Sequence, residues 1–421
     1  MTELMKKTDA FVPELAALLR WYDVNRRVLP WREDPAPYHV WLSEIMLQQT
    51  RVEAVKGYYD RFLKVLPDIR SLAAADEDTY LKLWEGLGYY SRVRNLHKGA
   101  VTVMEEYGGE MPRTSAELIR IPGIGPYTAA AIASIAFGEY IPAIDGNLLR
   151  VFARLTRYGE DIKTEAAKNK AGEFYLAAMT KRLKLDEAAE TAEATAAKEA
   201  ASTWRPSEKE GKSNDDSGAD TLCHEQKGRN IPGDVNQALM DLGATVCLPN
   251  AKPLCSECPF AGCCEAHAAG RETEYPLRQE KKERKQEKLT VFLIHDAEKI
   301  ALRKRPAKGL LAGLYEFPNT PGHLSEKEAL QYVQKIGFPP LRIKKLPEAK
   351  HIFTHKEWHM TGYEILADEL AGYADEPGGS SEDKSKKPAA KAGSGIFLAE
   401  INEIRDVYSV PSAFAAYSSL L

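Results

Sequence analysis

Two carboxylates and one glycine hairpin are the parts of this chain best suited to chemistry. In Leu118 to Arg150 (LIRIPGIGPYTAAAIASIAFGEYIPAIDGNLLR) an apolar helical tail breaks at Pro122, Gly123-Ile124-Gly125 turns, and Pro126 opens a new helix. Proline suits that first position because its missing N–H would have no partner there. Glycines on both sides of Ile124 let the backbone turn tightly and leave main-chain N–H groups uncovered. At a helix start, such groups bind an anion such as a phosphate. Asp145 follows in Ile-Asp-Gly-Asn, so a phosphate grip is followed by a carboxylate. That order points to an enzyme acting on a phosphate-bearing polymer. A lone Gly-x-Gly is more often only a turn. The small residues after it (Thr128, Ala129, Ala130, Ala131, Ala133, Ser134, Ala136) suit close packing beside the hairpin.

The second carboxylate is Glu44, 101 positions upstream of Asp145, in YHVWLSEIMLQQT. Trp41 and Leu47 lie three positions either side of it, on its own face of a helix. A carboxyl among such neighbours is part-buried, its pKa rises, and it can donate a proton near neutral pH. Most glutamates stay on the surface, so the apolar neighbours carry this reading.

All 6 cysteines fall between Cys223 and Cys264, which is not the pattern of a secreted disulfide framework. Cys247, Cys255, Cys258 and Cys264 give C-x₇-C-x₂-C-x₅-C. Thiolates this close argue for a metal centre, either tetrahedral zinc or an iron–sulfur cluster, and spacing alone does not choose.

The elements that must position these groups follow the hydrophobic pattern. Residues 11–27 show helical periodicity, with Leu15, Leu18, Leu19 and Tyr22 on one side, before Leu29-Pro30-Trp31-Arg32 breaks it. A second helix follows Asp34-Pro35-Ala36-Pro37 and carries Glu44. Residues 83–94 (LWEGLGYYSRVR) form a glycine-bracketed turn with aromatics. Residues 185–230 read as an insertion that is disordered by default, with a further one at 368–395. The basic run 278–288 reads as a solvated linker, and strand-like alternation begins at Leu289. Lys plus Arg (57) nearly balance Asp plus Glu (61), and 10 acidic against 4 basic residues sit in 185–220. Local patches, rather than bulk charge, would have to hold nucleic acid. No signal peptide is apparent, and the most apolar run, Thr128–Phe137, is too short to span a bilayer. A soluble cytoplasmic protein is expected, nucleoid-associated if bacterial.

Taken together, the hairpin, the small-residue helix and the downstream aspartate resemble the helix-hairpin-helix DNA glycosylases of the endonuclease III superfamily. LPWR and WLSEIMLQQTRV narrow the resemblance to the MutY-type adenine DNA glycosylases, over most of the chain. The resemblance implies an all-α helix-hairpin-helix domain with a cluster loop (8–184 and 231–274), a linker (275–288) and an α+β Nudix-like domain (289–421). It gives Glu44 the role of acid protonating adenine, with Asp145 steadying the sugar cation, Tyr127 bonding near both and Asn147 orienting Asp145. Arg27, Leu29 and Trp31 match positions lining the adenine pocket; Gln49, beside Thr50, matches a wedge into the base stack. Tyr89, after Leu87, matches an aromatic inserted beside the target base, and Gly123 and Gly125 match the phosphate grip. Phe353-Thr354-His355 matches a loop that recognises 8-oxoguanine, with Thr354 where serine is usual.

The same resemblance implies a [4Fe–4S] cluster on Cys247, Cys255, Cys258 and Cys264. This chain has seven residues in the first gap where six are usual, and Cys263 adjoins Cys264. Bifunctional relatives carry a lysine at the position of Tyr127, which forms a Schiff base and cuts the strand. Tyrosine cannot, so a monofunctional enzyme leaving an abasic site is expected. Its partner would be duplex DNA with adenine opposite 8-oxoguanine or guanine, bound by a monomer. RPAKGLLAGLYEFP resembles the Nudix-like part, but the carboxylate run that would bind magnesium is missing after it. The rivals are an oxidised-pyrimidine glycosylase/lyase, a non-catalytic metal-cluster scaffold and a Nudix hydrolase.

Overall fold

The computed structural model describes residues 3–203, 229–277, 284–296, 298–306, 308–353, 355–367, 370 and 395–421. Residues 204–228, with Cys223, and nearly all of 368–395 lie outside the described residues, as does Thr354. The chain divides into two compact units, one of residues 1–45 and 102–279 and one of 46–101 and 280–421.

The first unit is helical. Leu15, Leu18, Leu19 and Tyr22 are all buried along the Glu14–Asn25 helix, as their spacing requires. That helix packs on Ile231–Thr245, which also packs on Pro126–Phe137 and Gly146–Thr156. The Pro126–Phe137 helix is buried from Thr128 to Ile135, because alanines allow close approach on every side. Gly138 ends it in the left-handed conformation. Residues 165–203 form one helix, which runs well into the 185–230 segment.

The second unit joins the helices Val52–Val65, Ile69–Ala74 and Glu77–Leu83 to a seven-stranded sheet. Its strands are β1 (Lys285–His295), β2 (Lys299–Lys304), β3 (Tyr315–Glu316), β4 (Asn319–Pro321), β5 (Pro340–Ile352), β6 (Lys356–Ala367) and β7 (Ile396–Glu400). The order is β3-β2-β1-β6-β5, with β4 also on β1 and β7 on β2. Among the described residues, β1 and β6 are the one parallel pair. One face packs Val291, Leu302, Phe317, Trp358 and Phe414; the other packs Phe292, Ile294, Tyr363 and Ile365 with Ala329 and Val333 of the Glu326–Lys335 helix. Lys304 pairs with Asp78 at 3.3 Å, tying sheet to helices within the unit.

β1 begins four residues before the apolar alternation does, inside the basic run. Lys285 to Lys288 pair in register with Lys356 to His359, and Glu287 bonds both Lys356 (3.0 Å) and Trp358 Nε1 (3.1 Å). The glutamate within this charged run is thus neutralised across the strands by Lys356.

Candidate active site

In the first unit, Glu44 lies on the Pro37–Leu47 helix and is 6% exposed. The Tyr127 hydroxyl, on the second residue of the helix that Pro126 opens, donates to Glu44 Oε2 at 2.5 Å. Burial pushes the Glu44 carboxyl up to about 7. The Tyr127 hydrogen bond and the Arg32 charge pull it down, and the nearby Asp145 pushes it further up. Tyr127 itself stays a neutral donor, since burial and the two carboxylates raise it well above its usual value.

Asp145 is the N-cap of the Gly146–Thr156 helix. Its Oδ1 accepts from the main-chain N–H of Asn147 and of Leu148, each at 2.8 Å, and its Oδ2 accepts from Asn147 Nδ2 at 2.7 Å. Burial raises its carboxyl, and these three bonds to the ionised form oppose the rise. Asn147 is itself held: its Oδ1 accepts from Arg150 at 2.7 Å, and Arg150 also bonds the carbonyls of Gly243 (2.5 Å) and Cys247 (2.7 Å). A Cβ on Gly243 would meet Asn147 Cβ at 2.5 Å, so only glycine leaves room for that side chain. The structure thus brings Glu44, Tyr127, Asp145 and Asn147 together, with one tyrosine hydroxyl on Glu44 and three donors on Asp145.

Leu29 and Trp31 are buried in and beside the short Pro30–Glu33 helix. The Arg27 guanidinium is bound to Asp241, through Nε to Oδ1 at 2.7 Å, and the Arg27 N–H reaches Oδ2 at 3.2 Å. Arg32 adds two bonds to the same carboxylate, at 2.7 and 2.9 Å. Asp241 is fully buried, and these two arginines hold its carboxyl below the usual range against the burial that would raise it. Asp241, Arg32 and Arg150 do not stand out as site residues in the sequence. The one local sign is an aspartate inside the apolar run ALMDLGA, since a carboxylate there requires a partner.

In the hairpin, Gly123 is left-handed (φ 84°), whereas Gly125 is an ordinary extended N-cap (φ −92°). Nothing lies within 4 Å of a Cβ placed on Gly125, which leaves the start of that helix open to a ligand.

Cys247, Cys255, Cys258 and Cys264 line a single cavity with Arg154, whose guanidinium donates to Cys247 Sγ at 3.0 Å. Cys263 faces a different hollow, with Lys6, Lys7 and Phe11. Four cysteines on one cavity are the donor set of a four-thiolate centre, and Cys264 is the member of the adjacent pair on that side. The seven-residue first gap is closed by the Leu254 N–H on the Val246 carbonyl at 2.9 Å. Burial pushes the Cys255 thiol up to about 11 and the Cys258 thiol up to about 12; a cation held among them would favour the thiolates. Cys255 also stands beside His267 and Glu272, which bond each other at 2.5 Å.

In the second unit Gln49 is exposed and left-handed (φ 58°), and so is Tyr89 (φ 49°), which is 46% exposed. Leu87 is buried and Thr50 half-buried. Tyr89 lines a cleft together with Leu311, His351, Phe353 and His355. Phe353 rests edge-on against Trp358, with ring centres 4.8 Å apart, and its N–H bonds the Lys356 carbonyl at 2.8 Å; His355 is exposed. No helix among the described residues is long and apolar enough to cross a membrane.

Residues 42–176 match the HhH-GPD superfamily of base excision DNA repair proteins, and residues 290–416 match the NUDIX domain. The chain is similar to the adenine DNA glycosylase of Mus musculus, 32% identical over 419 residues, which cover 86% of this chain and 72% of that one. It is 31% identical to the adenine DNA glycosylase of Buchnera aphidicola subsp. Baizongia pistaciae over 356 residues, 84% of this chain and 86% of that one. A solved thermostable thymine-DNA glycosylase aligns with a TM-score of 0.44 at 23% identity, over 64% of this chain and 100% of that chain.

Proposed function

The chain belongs to the adenine DNA glycosylases, base-excision enzymes that remove adenine from DNA, and from that premise we propose how its own residues divide the work. Hydrolysis of an N-glycosidic bond needs a proton for the departing base and an anion for the cation-like sugar. Glu44 supplies the proton. Its carboxyl is raised to about 7, so a large fraction is protonated at neutral pH, and Tyr127 fixes Oε2 and leaves Oε1 for the base. Asp145 supplies the anion, aimed by Asn147. The observation that carries this reading is the Tyr127–Glu44 bond at 2.5 Å beside an Asp145 bound by three donors.

The adenine must leave the helix to reach Glu44. Gln49 and Tyr89, both exposed on left-handed turns, take up the space in the base stack. Gly123 and Gly125 grip a backbone phosphate, and Leu29 and Trp31 with the Arg27 backbone line the base pocket. Phe353, Thr354 and His355 read the base opposite the adenine, 8-oxoguanine or guanine. The enzyme acts as a monomer. Tyr127 stands where a Schiff-base lysine would be needed, so the product is an intact strand with an abasic site.

Cys247, Cys255, Cys258 and Cys264 would hold a [4Fe–4S] cluster. When bound, it supplies a rigid four-way cross-link to the 247–264 loop.

The test is a duplex with adenine opposite 8-oxoguanine, incubated with the protein and then treated with hot alkali. Cleavage at the adenine only after alkali is expected. No cleavage would overturn the reading, and cutting without alkali would replace it with a lyase.

A further inference from the structure

Arg92 lies in the second unit, in the first turn of the Ser91–Glu106 helix, and is 8% exposed. One guanidinium nitrogen donates to the carbonyls of Met46 (2.9 Å) and Gln48 (2.7 Å). The other donates to the carbonyls of Leu87 and Gly88, each at 3.0 Å, and to Thr50 Oγ1 at 3.4 Å. The guanidinium plane also lies over the rings of Trp84 (5.2 Å) and Tyr89 (5.7 Å).

These five acceptors are uncharged and belong to two turns. Met46 and Gln48 offer carbonyls at the C-terminal end of the Pro37–Leu47 helix, where the last turn lacks internal donors. Leu87 and Gly88 lie in the glycine-bracketed turn. The Gln48 and Gly88 carbonyls belong to the peptides that enter Gln49 and Tyr89, the two residues with positive φ in these turns that are not glycine. Each such residue is strained and persists only where its surroundings fix it. A planar fork can hold two carbonyl pairs at once; an ammonium cannot.

We propose that Arg92 is a positioning residue that ties the turn at 48–50 to the turn at 87–89, so that Gln49 and Tyr89 enter the base stack as one unit. The inference rests on the reading of those two side chains as base-stack residues given above.

The test uses the full chain and a duplex with 2-aminopurine in place of the target adenine, opposite 8-oxoguanine; its fluorescence rises when the base leaves the stack. Gln49→Ala, Tyr89→Ala and the double variant are compared with Arg92 present and again with Arg92→Lys. With Arg92, the double variant is expected to lose about tenfold less flipping than the product of the single losses. With R92K the losses are expected to multiply. Multiplicative losses with Arg92 present, in proteins that need no Arg92 variant to fold, would overturn the tie alone. Coupling that survives in R92K would also overturn it. Single variants that leave fluorescence unchanged would overturn both the tie and the base-stack reading beneath it.

Discussion

The Tyr127 hydroxyl donates to Glu44 Oε2 at 2.5 Å, and that bond opposes the burial that raises the Glu44 carboxyl to about 7. Since the acid must carry its proton, adenine release is expected to hold up below about pH 7 and to fall as pH rises through it. Tyr127→Phe removes a bond to the ionised form, so the alkaline limb is expected to move to higher pH. Single-turnover rates across pH 5 to about 9 would check it; an unmoved limb would break the link between these two residues.

Glu44→Gln is expected to abolish excision while duplex binding persists, measured by gel shift against the product assay. The same substitution has a stability signature. The folded-state pKa is raised from 4.5 to about 7, so the carboxyl is no burden below the lower value and a full burden above the upper one. The difference is about 3 kcal/mol. E44Q is therefore expected to raise the melting temperature more at pH 8 than at pH 4, at a stated salt concentration.

Asp241 is bound by both Arg27 and Arg32 with no exposure of its own. Asp241→Asn leaves two arginine charges without their carboxylate, and losing one member of a buried pair costs about 3–5 kcal/mol. Urea unfolding would read that loss. Arg32 would also act more strongly on Glu44, so the alkaline limb is expected to move to lower pH, opposite to Y127F.

Much of this site is legible from the chain where partners are close in sequence. Asp145 and Asn147 are two residues apart, and the burial of Glu44 follows from the helical spacing of Trp41 and Leu47. The partners of Asp241 are 214 and 209 residues away, so local pattern shows that it needs a cation and not which one. Arg92 reads as one more cation in YYSRVR until the fold brings four carbonyls to it. In the hairpin, composition alone does not say that Gly123 uses a left-handed backbone and Gly125 does not.

Gly243→Ala is expected to slow adenine release with little change in duplex affinity. The added methyl would meet Asn147 and shift the side chain that aims Asp145. Misplacement of a reacting group by about 1 Å costs roughly a hundredfold, so a loss of ten- to a hundredfold in the single-turnover rate is the expected range. Unchanged chemistry would show that Asn147 does not aim the aspartate.

Cys264→Ser is expected to abolish the broad visible absorption of a reconstituted cluster, while Cys263→Ser retains it, because only Cys264 shares the cavity with the other three thiols. A colourless, zinc-loaded protein would remove the cluster from the account.

The Ile231–Thr245 helix carries both Asp241 and Gly243 and lies beyond the long segment that follows Glu165. One helix, late in the chain, therefore supports both carboxyls at once: Asp241 holds the arginines beside Glu44, and Gly243 seats the side chain on Asp145.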